Sequence, residues 1–188
     1  MSKVAIVGDP SGTGTFTISA PNGNTDRTLV LPDEAGTVLT SAGVPASAMP
    51  AGSVIQVVSS TSYVGATSTT STRADTGLSL SITPTSTTSK ILVSVHCNGT
   101  GKNGGNTYEA FWLMRDSTDL TKFAGEIGYT ADTSVSSTAS ASVNYLDTPN
   151  TTSSVTYKVQ FANGANTGFV GIGKSSSQSS ITLMEIAA

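Results

Sequence analysis

This sequence is poor in the residues that perform chemistry. Its 188 residues include one histidine, His96, and one cysteine, Cys97. A lone cysteine forms no intrachain disulfide, so no secretory disulfide framework is implied. The two are adjacent, and neighbouring residues of a strand point to opposite faces, so they could share neither a proton nor a metal. His96 is therefore expected in a structural or surface place, and Cys97 as a small core residue. Charged residues make up 11% of the chain, against about a quarter in ordinary soluble domains. The nine lysines and arginines are scattered singly and the net charge is -3. That leaves no basic patch for a phosphate backbone and excludes nucleic acid as a partner. The opening residues 3–8 (KVAIVG) are too short an apolar run for a signal peptide or membrane span, so synthesis in the cytoplasm without membrane insertion is expected.

The motifs of catalysis are missing as well. Residues 8–14 (GDPSGTG) lack the lysine of a phosphate-binding loop, and Thr17 stands where a dinucleotide fingerprint needs its third glycine. The serine of Gly8-Asp9-Pro10-Ser11-Gly12 comes one place too late for a nucleophile elbow. Asp116 with Asp119, or Asp132 with Asp147, could pair as in a glycosidase, but nothing sets the separation that chemistry requires. Asp116 and Asp119 suit a turn equally well, and lack the glycine and terminal glutamate of a calcium loop. No enzyme, cofactor or metal is expected.

What the chain has in abundance is serine and threonine, about a third of all residues, far above ordinary usage. Threonine favours strands and serine favours turns, and neither supports long helices. The fold class is all-β. Residues 155–161 (VTYKVQF) alternate without a fault, which puts Val155, Tyr157, Val159 and Phe161 on one strand face. Asn163-Gly164 follows as a turn signal. Further strands are expected at 54–58, 78–83, 90–97, 108–115, 143–148, 169–173 and 181–186. Ile91, Val93, Val95 and Cys97 make one core face. Residues 59–75 read as a wide loop or weak edge strand, 101–106 as a hairpin or mobile loop, and 134–142 have no clear place. Trp112 is expected in the core. About eight strands with a turn every ten to fifteen residues point to a jelly roll or β-sandwich over residues 53–188.

The first forty residues differ. Strands at 15–21, 27–32 and 36–40 each offer two or three apolar side chains, too few for a core in a single copy. Such a segment needs partners. Residues 41–52 (SAGVPASAMPAG) form a neck stiffened by Pro45 and Pro50.

Residues 14–21 (GTFTISAP) and 27–40 (RTLVLPDEAGTVLT) resemble a module common in tailed-bacteriophage fibre and virion structural proteins. The resemblance implies a trimeric, intertwined β stem, with Phe16, Ile18, Leu29, Leu31, Val38 and Leu39 as its inward apolar positions. Residues 81–95 (SITPTSTTSKILVSV), 113–118 (LMRDST), 145–161 (YLDTPNTTSSVTYKVQF) and 179–188 (SSITLMEIAA) resemble the trimeric tumour-necrosis-factor-like heads that end many phage fibres. This second likeness implies a homotrimer joined through the side of the sandwich, with the last strand near the three-fold axis. Glu185 would then face either the axis or the sheet exterior.

Together these imply a short trimeric fibre on the virion surface, bound by its stem to other virion proteins and used in host attachment. The alternative is a capsid head-fibre or decoration protein docked by that stem, and a capsule depolymerase comes a distant third. For attachment, Tyr108 and Tyr129, beside glycine-rich or polar segments, are the candidate contacts to a host surface glycan.

Overall fold

The structure, a computed structural model, describes residues 48–188 apart from 64, 133–135 and 166–167, with a few scattered positions before residue 48. The chain separates into two units, Met1–Val38 and Leu39–Ala188, and the described strands belong to the second. The proposed stem positions Phe16, Ile18, Leu29, Leu31, Val38 and Leu39 lie outside the described residues.

Ten strands follow one another among the described residues: β1 (Val54–Ser62), β2 (Ala66–Ser68), β3 (Ala74–Ile82), β4 (Lys90–Asn103), β5 (Thr107–Arg115), β6 (Thr118–Thr130), β7 (Ser136–Asp147), β8 (Val155–Asn163), β9 (Phe169–Ile172) and β10 (Ser179–Ile186). They form two antiparallel sheets. The six-stranded sheet runs β1-β10-β4-β7, with β9 and β2 extending it beside the far end of β4. The four-stranded sheet runs β3-β8-β5-β6. Strands distant in sequence are thus neighbours in each sheet, and the chain passes back and forth between sheets. That interleaving of two Greek keys is a jelly roll.

Alternation places the core. Val155, Tyr157, Val159 and Phe161 of β8 are all buried, as are Ile91, Val93, Val95 and Cys97 of β4. From the opposite sheet Leu78, Phe111 and Leu113 complete the filling, and from β10 come Ile181 and Leu183. Phe111 and Phe161 face each other across the β5–β8 pair with centroids 6.4 Å apart, and Phe123 stacks on Phe111 at 5.8 Å.

Three segments differ from their expected form. Of the polar run, residues 59–62 continue β1, 66–68 form β2 and 74–75 open β3; β1 and β2 are edge strands, so the edge-strand alternative holds over the wide loop, with more of the run in strands than expected. Serine and threonine accept strand geometry when backbone pairing with β10 and β8 supports it. Residues 101–103 extend β4, and the short link 104–106 crosses to the other sheet rather than closing a hairpin. Residues 136–142 of the low-complexity stretch form the start of β7, which pairs with β4 from Ile91 to Asn103.

A buried polar cluster ties the sheets together near one end. Asp147 of β7 accepts hydrogen bonds on Oδ2 from Arg115 of β5 (2.6 Å) and from the Tyr157 hydroxyl of β8 (2.7 Å). Burial pushes the Tyr157 phenol well above its ordinary value, and the Asp147 carboxylate adds to this. Removing one donor costs little; removing the acceptor strands two donors in the interior. Tyr157→Phe is expected to cost about 1 kcal/mol and Asp147→Ala about 3 kcal/mol or more. Urea unfolding of the two variants checks this, and equal losses would contradict it.

Candidate functional site

The sandwich has two ends. At the base, residues 48–53 enter and the chain terminates: Gly52 and Ser53 exchange backbone hydrogen bonds with Ala187 at 2.8 and 2.9 Å. An open depression of about 330 Å³ lies there, lined by Met49, Ile55, Thr85, Ser89, Ala187 and neighbours. It offers neither an aromatic ring nor a charged side chain. The strand directions put the β4–β5 link, the end of β6, the start of β7 and the β8–β9 link at the opposite end, the tip.

The tip brings Tyr108 and Tyr129 together. Tyr108 stands on the outward phase of β5, and Tyr129 stands near the end of β6, where the bulged β5–β6 register admits Gly128 at φ 73°. The two rings meet edge to face, with centroids 6.4 Å apart and 65° between planes. Tyr129 is 52% exposed, and Tyr108 is half-buried. The Tyr129 hydroxyl donates to Asn106 Oδ1 at 3.4 Å, and Asn106 holds a left-handed backbone, φ 51°. Gly164 donates its backbone N–H to the Tyr108 carbonyl at 3.0 Å, and its Cα lies so close to the Tyr108 ring that any Cβ would collide with it. Glycine at 164 is therefore what lets the β8–β9 link pass over the ring.

Beneath the pair lies a buried polar layer. Thr107 donates to Asn163 Oδ1 at 2.6 Å, and Asn163 Nδ2 donates to the Gly168 carbonyl at 3.3 Å. Lys102, fully buried, donates from Nζ to the Gly104 carbonyl (2.9 Å) and to Thr130 Oγ1 (2.5 Å), joining the β4–β5 link to the end of β6. Lys174 Nζ in turn donates to the Lys102 carbonyl at 3.0 Å. Glu109 points inward, accepts the Gly101 N–H on Oε2 at 3.0 Å, and leaves Oε1 without a partner. Burial pushes Glu109 up to about 8, against smaller pulls from the Gly101 N–H and from Lys174. The acid form is thus favoured at neutral pH. Burial also pushes the Cys97 thiol up to about 12, with Glu109 adding to the effect, which makes Cys97 an unreactive core residue.

The remaining candidates have other employment. His96 is exposed and Cys97 buried, on opposite faces of β4. Asp116 sits in the β5–β6 turn at φ 52°, accepting the Thr156 N–H at 3.0 Å. Asp119 takes both contacts from Arg73 Nη1 at 2.7 Å. Asp132 is at the tip and Asp147 at the base end of β7, so these two cannot act on one bond. No cluster of three potential metal ligands occurs among the described residues. Trp112 is not in the core. It lies half-buried on the outer face of the four-stranded sheet, with the Arg73 guanidinium 4.3 Å and the Lys122 amine 5.3 Å from its ring centroid. Phe111 and Leu113 hold the inward phase of β5, which sends Trp112 outward.

Glu185 takes neither face expected of it. It is fully buried on the inward phase of β10, at the base, and accepts from Gln56 Nε2 (2.5 Å), the Thr85 N–H (2.7 Å) and Thr85 Oγ1 (2.8 Å). Burial alone would raise its carboxyl. The surrounding donors, the Ser89 hydroxyl together with Gln56 and Thr85, outweigh burial and hold it below its ordinary value.

The fold is an antiparallel jelly-roll sandwich, and strand order alone establishes it. No family model and no curated protein matches the chain. Among solved structures, the VP2 subviral particle of infectious bursal disease virus matches over 70% of this chain and 32% of that one, with 13% identity and a TM-score of 0.44. The chain spans about a third of the length of that protein, and a likeness of this degree adds nothing to what the strand order gives.

The two buried glutamates respond to pH in opposite directions. Glu109 titrates higher folded than unfolded, so its contribution is complete below about pH 4.5 and is lost as pH rises through about 8. Glu185 titrates lower when folded, so its contribution is lost only as pH falls below the ordinary carboxylate range. Denaturant midpoints are expected to decline from pH 5 to pH 9, and Glu109→Gln is expected to flatten that decline. A wild-type midpoint constant over this window would contradict the assignment.

Proposed function

We propose that this chain is a non-enzymatic virion structural protein of a bacteriophage, a short homotrimeric fibre displayed on the particle and used in host attachment. The resemblance of residues 14–40 to phage stem modules supports this, and so does the jelly-roll topology of the second unit. The observation that carries self-association is the outer face of the six-stranded sheet. Pairing aligns Val57, Met184, Leu92 and Leu146 in one row across four strands. Val57 and Leu146 are each 53% exposed, and Val54 and Ile186 pair beside them in a row that ends on the exposed Lys90. The next two rows are Ser59–Thr182–Ser94–Asn144 and Thr61–Ser180–His96–Ser142. No lysine, arginine, aspartate or glutamate enters these three rows.

The other outer face is the reverse. It carries the Lys158–Asp75 pair at 3.0 Å, the Gln160–Asp75 hydrogen bond at 2.8 Å, and the Arg73–Asp119 pair. Charge is concentrated where water is kept, and it is absent from the three rows where a neighbour of the same chain would sit, Lys90 standing at their base edge. The stem, neck and sandwich then act together: the stem docks on other virion proteins, and the head faces outward.

The full chain is expected to sediment as a trimer at micromolar concentration. The double variant Val57→Lys/Leu146→Lys is expected to dissociate at least about tenfold more readily while keeping the sandwich's circular dichroism. A compact monomer would sink the reading. Cryo-electron microscopy of the particle assigns the site of display: tail density supports attachment, whereas density confined to the capsid shell makes the chain a decoration protein.

A further inference from the structure

Resting on that proposed function, we infer that the tip of each sandwich binds a neutral pyranose sugar, with Tyr129 as the stacking platform and Tyr108 as its support. The division of labour follows from burial and packing. Tyr129 is the more exposed ring, while Tyr108 is half-buried, with Gly164 packed against its ring and Tyr129 set edge to face with it. A ring held at a fixed angle by a second ring loses little freedom when a ligand stacks on it. Sugars present a flat C–H face to an aromatic ring and hydroxyls around the rim, so the platform needs polar neighbours. Asn106 supplies one, kept within reach of the Tyr129 hydroxyl by its left-handed backbone.

The platform is built on a rigid floor. Thr107, Asn163 and Lys102 tie together the β4–β5 link, the β8–β9 link and the end of β6, the segments that carry Asn106, Gly164 and Tyr129. Such fixation is what separates a binding site from an incidental exposed ring. Charge selects the class of sugar. The lysines of the tip, Lys102 and Lys174, are turned to backbone carbonyls and, for Lys102, to Thr130. The exposed charges nearest in sequence to Tyr129 are acidic, Glu126 and Asp132. An anionic sugar would meet repulsion there, and a neutral hexose or N-acetylhexosamine would not.

The test is an array of immobilised glycans probed with the intact trimer, holding neutral hexoses and N-acetylhexosamines beside sialylated and uronic-acid glycans. Binding to neutral glycans is expected, reduced at least about tenfold by Tyr129→Ala, the loss of one stacking contact. Gly164→Ala is expected to weaken binding too, because its Cβ displaces Tyr108 while every polar group of the tip stays in place. Tyr63→Ala, which removes a tyrosine 70% exposed on the link between β1 and β2, is expected to leave binding unchanged. Unfolding midpoints of each variant separate loss of the site from loss of the fold. The inference is overturned by silence on neutral glycans, by preference for acidic ones, or by a folded Tyr129→Ala variant that binds as the wild type does. A trimer located on the tail that binds no neutral glycan defeats this inference alone, whereas a monomer that binds one defeats the proposed assembly and leaves the tip site standing.

Discussion

The face-to-face packing of two sheets, each apolar on one side only, governs everything else in this molecule. With only 37% of residues apolar, the chain cannot scatter them. Strict alternation concentrates Val93, Val95, Phe111, Leu113, Val159 and Phe161 on the two inner faces, where each is essentially inaccessible to water. The serines and threonines between them fall on the outer faces, where they accept strand geometry without needing burial. A one-residue slip in any of these strands would exchange the two sets. The jelly-roll order makes such a slip costly, because each central strand is paired on both sides, and on at least one side by a partner distant in sequence.

The ends of a sandwich are where this plan runs out, since the last inward positions have no opposing layer of apolar side chains. Both ends are closed with polar residues. At the base Glu185 is satisfied by Gln56 and Thr85, and nearby Asp147 gathers Arg115 and Tyr157. At the tip Lys102, Thr107 and Asn163 are fully bonded, while Glu109 keeps one oxygen without a partner. The contrast between the two glutamates is a matter of donors: Ser89, Gln56 and Thr85 keep Glu185 ionised, and a single donor leaves Glu109 favouring its proton. Hydrogen bonds from Lys102 and Thr107 thus tie together the segments that carry the tyrosine pair.

The outer faces divide the remaining work. One carries ion pairs and a tryptophan clasped by two cations; the other carries a row of aliphatic side chains among serines and threonines. That asymmetry leaves one outer face well hydrated and the other, over the strands β1, β10, β4 and β7, sparing in charge.

Alternation was enough to place the β8 core, the inner face of β4 and the all-β class, because a strand's two-residue period is a local property of the chain. The same reasoning, pursued strictly, would have turned Trp112 outward and Glu109 and Glu185 inward, since each shares or opposes the phase of obvious core neighbours. Expecting tryptophan inside and carboxylates outside hid this. Other features had no local signal at all. Lys102 is buried only because the irregularity between Asn98 and Thr100, with Gly99 at φ 61°, reverses the phase of β4. Tyr108 and Tyr129, twenty-one positions apart, meet because β5 and β6 pair with bulges, and Gly164 reaches Tyr108 only through β8. Period and composition are written along the chain; which strand lies beside which, and so which side chains meet at the tip, is decided by pairing between distant segments, and only the folded sandwich contains it.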